Sequence, residues 1–350
     1  MSATQLGALG TDDVAELSTD AVAAISTKAI SGLTTDAVAA LSTDQVGALT
    51  TGQVAALKTT QVAALTTDQV EALSTDQVGA LTAAQVGALT TDQIGALSTD
   101  QVGAISAKGI AGLTATQVGA LSTDQVGALT ETQVGALSAT QLGALGTDDV
   151  AELSTDAVAA ISTKAISGLT TDAVAALSTD QVGALTTGQV AALKTTQVAA
   201  LTTDQVEALS TDQVGALTAA QVGALTTDQI GALSTDQVAA ISTKGVAGLT
   251  ATQLDAMSTD QLEALDTAQT GALSATQIAT FDDTDIAEFS TDEIAAISTK
   301  AISGLTTTAV AALSTDQLGA LTTGQVAAMK ATQIAALTTD QVEALSTDQI

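Results

Sequence analysis

The sequence predicts an all-α solenoid, a superhelix of short capped helices of about seven residues with one helix per octapeptide repeat, and three observations predict it. From Ser2 onward the chain is one eight-residue unit rewritten without insertion or deletion, as in Ser42-Thr43-Asp44-Gln45-Val46-Gly47-Ala48-Leu49. Each unit carries a helix-start signature, and each places its large apolar residues at two fixed positions. Residues 2–345 hold 344 positions, or 43 complete octads, and residues 346–350 begin another. Such periodicity overrides length as a guide to domain number, because a short repeat buries its apolar face only against its neighbours. Residues 1–350 therefore read as one continuous array. It begins and stops without atypical capping repeats, as expected of a piece of a longer chain.

With Ser42 as position one, positions one and four are usually Ser or Thr and Gln, the reciprocal capping box in which each side chain satisfies an orphan backbone amide. Asp44 at position three puts a carboxylate in the first turn, where the helix dipole favours negative charge. Val46 at position five and the residue at position eight of the preceding octad form the staple pair, so Leu41 should pack on Val46 and Leu49 on Val54. Position five is Val, Ile or Leu throughout, with Thr270 the exception. Ser42, Asp44, Gln45, Val46 and Leu49 are thus the structural residues of the unit. A single long helix is excluded, since at ~100° per residue the apolar stripe drifts about 80° per octad and no face stays buried. A β-solenoid is the alternative. Strand alternation would split Val46 and Leu49 between opposite faces, and Gln, Asp, Ala and Gly are poor strand formers.

A longer period lies above the octad. Residues 2–102 recur without a difference as 138–238, and a diverged copy starts at Ser274, which divides the array into blocks 2–137, 138–273 and 274–350. The shift of 136 residues is 17 octads, so copying has kept the lattice in register. A variant octad accompanies it: Ser26-Thr27-Lys28-Ala29-Ile30-Ser31-Gly32-Leu33 has Lys in place of Asp, lacks the capping Gln and carries Gly at position seven. Lys28 with Gly32, Lys164 with Gly168 and Lys300 with Gly304 are candidate nodes, where Lys would neutralise an Asp on an adjoining coil and Gly would relieve a local bend. The plainer reading is a tolerated surface lysine in a duplicated block.

Composition narrows the function. Hydrophobic residues are 46% of the chain, aromatics 1%, and there is no His, Cys, Tyr, Trp, Pro or Arg. Catalysis would fall to one of many equivalent Ser or Thr residues in environments that repeat, so no catalytic residue and no enzyme is predicted. The formal charge of −30 repels nucleic acid and anionic membranes. No apolar run approaches the ~20 residues of a membrane span. No cofactor is predicted. Calcium is the one metal considered, through a column of Asp44, Asp68 and Asp76 should coils stack in phase. The Thr-rich edge reads as caps and turn residues, with an ice-, glycan- or water-ordering ladder as the alternative.

The octads written as Leu65-Thr66-Thr67-Asp68-Gln69-Val70-Glu71-Ala72-Leu73 resemble repeat regions of very long bacterial secreted or surface proteins, of the adhesin-like or haem-utilisation-like kind. The resemblance implies an exported stalk or spacer and carries over no functional residue. A cysteine-free chain fits export. Two functions follow as expectations: a structural spacer or scaffold in a secreted or surface protein, or a binding module whose acidic, Thr-rich face engages calcium, a basic partner, a glycan or ice. The expected partners are neighbouring repeats of the same chain, with self-association open.

Overall fold

Ser42 is extended (φ −72°, ψ 161°) in the computed structural model, and its hydroxyl accepts the Gln45 N–H while Gln45 Oε1 accepts the Ser42 N–H at 2.7 Å. Two amides orphaned by the helix start are thereby satisfied. The helix Thr43–Gly47 follows, with Asp44 in its first turn. It closes tightly, because Leu49 donates to Val46 O three residues back rather than four. Position eight then turns extended, as at Leu57 (φ −62°, ψ 145°), and the next cap is extended again. Two consecutive extended residues are the corner between helices. No residue has a positive φ and no peptide is cis, so the corner needs no left-handed glycine.

Those corners explain why the helices are shorter than the sequence suggests. With positions eight and one extended, at most six positions remain, and the α-helices run four to six residues. There are 41 of them plus the 3-10 helices Ile166–Gly168 and Ile302–Gly304, which makes 43, one per complete octad. No strand is present, and the β-solenoid alternative falls.

The structure describes all 350 residues, in two compact units of residues 1–184 and 185–350. Each is an α-solenoid. In the first, helix Thr75–Gly79 packs on Thr99–Ala104 three octads later, while Gln77 reaches Val46 and Leu49 in the octad four earlier. In the second, helix Thr211–Gly215 packs on Thr235–Ala240 in the same relation, and Gln253 reaches Val222 and Leu225 four octads back. An octad touching both its third and fourth neighbour sits in a coil of between three and four octads.

Side chains sort by position. Val46 is fully buried and Leu49 is 5% exposed, whereas Thr43 and Asp44 face solvent. The core is a column of Val, Leu and Ile. Between Val46 and Leu97 it leaves a void of about 10 Å³ lined only by Val and Leu, too small and too apolar for a ligand. In the third copy Phe281 and Phe289 occupy position eight and meet edge to face, ring centroids 5.2 Å apart. Their counterparts in the other copies are leucines.

Candidate functional site

The octad brings one polar side chain inside, the glutamine of position four, and the most specific constellation in each unit is the ladder these glutamines form. Gln77 is 2% exposed. Its Oε1 accepts the Ser74 N–H at 2.7 Å, and its Nε2 donates to Leu49 O at 2.6 Å, Val46 O at 2.9 Å and Gly47 O at 3.2 Å. A single side chain therefore caps its own helix and fastens it to the coil beneath. Gln45 does the same toward Val14 and Leu17, Gln69 toward Val38 and Leu41, and Gln85 toward Val54 and Leu57. In the second unit Gln229, Gln261 and Gln325 repeat the pattern.

The target carbonyls explain the need. Position eight is extended and outside any helix, so Leu49 O has no intrahelical donor and Gln77 Nε2 is its partner. A buried backbone carbonyl without a donor is costly, and the amide removes that cost wherever an octad carries Gln at position four. Local capping rules account for only the capping half of Gln45. A signal for the other half was there: a capping box accepts Glu as readily as Gln, yet position four is Gln in 29 of 43 octads and Glu only at Glu293. Only the amide can donate.

The remaining predicted residues fall in place as follows. Ser42 is an exposed cap, Asp44 lies exposed in the first turn, and Val46 and Leu49 are core. Lys28, Lys164 and Lys300 are exposed and none is in an ion pair, so the expected neutralisation of an Asp across coils is not what they do. Long exposed side chains gain little from pairing in water. Their glycines are not there for a left-handed conformation, since no glycine has a positive φ. A Cβ on Gly32 would strike the backbone of Ala3, one on Gly168 that of Ala139, and one on Gly304 that of Ala275, each three octads earlier. Gly112 and Gly248 stand in the same relation to Ala83 and Ala219. These are points where two coils meet backbone to backbone, and the partner octad carries Ala at position two where Thr is usual.

No group of three or more Asp or Glu side chains is placed to hold a metal ion, so Asp44, Asp68 and Asp76 do not converge. No helix is long and apolar enough to cross a membrane. The carboxylates crowd where the end of the second copy packs on the start of the third. There a hydrogen bond with Glu288, then some desolvation and the charges of Glu288, Asp260 and Glu293, hold the Glu263 carboxyl above the usual glutamate range. Burial raises Asp285, against a backbone hydrogen bond from its own cap residue Asp282.

A search of curated protein sequences returns no match. The family described as the ALTTAQ repeat matches residues 19–51, 48–83, 79–107, 99–131, 155–187, 184–219, 215–243, 235–267, 286–323 and 323–350. Only residues 1–18, 132–154 and 268–285 lie outside those matches. The matches thus follow the octad lattice over most of the length, and the chain belongs to the ALTTAQ repeat family.

Proposed function

We propose that the array is a spacer or scaffold in a secreted or surface protein, a region whose contribution is its length. The observation that carries this reading is that the glutamine ladder binds only backbone carbonyls, as Gln77 does at Val46, Gly47 and Leu49. Backbone recognition is indifferent to side chains, so whole blocks that keep each glycine over its alanine three octads earlier can be added or removed while every glutamine still meets a carbonyl. Block duplication at 136 residues fits that freedom. Support for export comes from the cysteine-free composition and the resemblance noted above.

The test is an in-frame deletion of residues 138–273, with fluorophores placed at the two ends of the chain. A spacer keeps its helicity per residue and brings the fluorophores closer. Should the deletion instead abolish binding of calcium, a glycan or a basic protein by the parent chain, the binding-module reading replaces it.

A further inference from the structure

We propose that the second and third copies of the block each open on one unlatched turn, a full coil without glutamine bonds to the coil before it, and that the solenoid parts first at this turn. In the first unit the cross-coil bonds run from Gln45 to Gln141 with one gap at Gly109, stop, and resume at Gln181. Position four of the four octads between them is Asp149, Ala157, Ala165 and Ala173, none of which can donate from its side chain. Asp149 still caps its helix by accepting the Gly146 N–H at 2.8 Å, but reaches no further. The carbonyls these positions would have met, Leu121, Leu129, Leu137 and Leu145, accept no hydrogen bond from the protein.

The second unit repeats the arrangement by itself. Bonds stop at Gln277 and resume at Gln317, across Asp285, Glu293, Ala301 and Ala309. Met257, Leu265, Leu273 and Phe281 are the carbonyls left without a donor. Four octads exceed one coil, so the gap spans a whole turn and not a point on it. An isolated gap such as Gly109 is flanked by latched octads on both sides and leaves the coil held.

What joins the unlatched turn to its neighbour is close packing. Gly168 lies on the Ala139 backbone, and a Cβ on Gly135 would stand 3.0 Å from Ala160 O. Such contacts are short-ranged and vanish with a small separation, whereas the glutamine bonds elsewhere must be broken one by one. Charge adds no attraction: the first octad of the turn carries Asp148, Asp149 and Glu152, and its later copy Asp282, Asp283, Asp285 and Glu288. The unmatched stretches 132–154 and 268–285 also run into that first octad in both copies. In a spacer, a turn of this kind would let the array yield at regular intervals and reseal. The inference rests on the hydrogen-bond pattern and stands whether or not the array is a spacer.

Hydrogen exchange read by mass spectrometry on the full chain tests it. Amides of residues 254–313, the equivalent turn of the second unit, whose sequence departs from the earlier copies, should exchange at least tenfold faster than those of residues 46–102 and their identical, equally latched copy 182–238, because local opening there breaks fewer bonds, and residues 118–137 should follow them. Substituting A157Q and A173Q offers donors to Leu129 and Leu145 and should slow exchange in 118–177. The converse variant, Q77A/Q85A/Q93A/Q101A, creates a further unlatched turn and should raise exchange in 46–105 to the level of 118–177. Equal protection of the two regions in the parent chain overturns the proposal. So does a quadruple variant that exchanges as the parent does, or a folded A157Q/A173Q chain with unchanged exchange.

Discussion

Glutamine rather than glutamate stands at position four because one side chain must accept a hydrogen bond at its own helix start and donate at the coil beneath. Glu293 is the natural control. Its carboxylate accepts the Ser290 N–H at 2.7 Å and its own N–H meets the Ser290 hydroxyl, so the cap is intact, but no bond crosses to the preceding coil. Thr270 is the complementary exception, a hydroxyl at an apolar position, fully buried and without a hydrogen-bond partner. Replacing it with Val removes an unsatisfied polar atom at constant shape, and T270V should gain about 1–2 kcal/mol in denaturant titrations. Glu263 gives a pH signature. Carboxyls held above their usual range bind protons more tightly in the folded state, so the stability from Glu263 and Asp285 is fully present below the ordinary carboxylate pKa and lost as pH rises through their raised values. Acidification from neutral pH should therefore raise the melting temperature of the second unit. E263Q should melt above the parent at neutral pH, and the difference should disappear in acid; a difference that persists at low pH would refute this assignment.

A helix of four to six residues has no stability alone, so each element exists only because its ends are capped and its apolar edge is stacked. Ser42, Asp44 and Val46 were legible for this reason: caps, first-turn charge and staple are local rules written in eight residues. The cross-coil half of Gln45 was not, because its partners Val14 and Leu17 lie 31 and 28 residues away and no local rule gives the octads per coil. Gly32 is legible only as a requirement for glycine, since a sequence does not show whether conformation or space imposes it. Two glycines separate these causes. A Cβ on Gly112 would enter the Ala83 backbone, whereas one on Gly95, inside helix Thr91–Ala96, meets nothing within 4 Å. G112A should cost about 1–3 kcal/mol through overpacking, and G95A should gain about 0.5–1 kcal/mol by restricting the unfolded chain. Chemical denaturation of the two variants checks the pair, and equal effects would remove the close-approach argument.

At the scale of the whole chain, a formal charge of −30 is carried by a fold whose core is only Val, Leu, Ile, Ala and a few Met and Phe side chains. Self-repulsion of that charge opposes compaction, and exposed lysines without partners do little to offset it. Cohesion has to come from within each unit: apolar stacking, which is unspecific in register, and the glutamine ladder, which fixes which octad lies on which. The measurement that tests this most directly is thermal unfolding, followed by circular dichroism, of the chain carrying Q69E, Q77E and Q85E. Glutamate preserves all three caps, as Glu293 does, and puts a carboxylate where the amide donors met Leu41, Leu49, Leu57 and the Val38, Val46 and Val54 carbonyls beside them. We expect native helicity at low temperature with a lower and broader transition, reflecting a loss of about 3 kcal/mol or more across the three rungs. A triple variant that melts with the parent would contradict the account, and would leave the glutamines as helix caps alone.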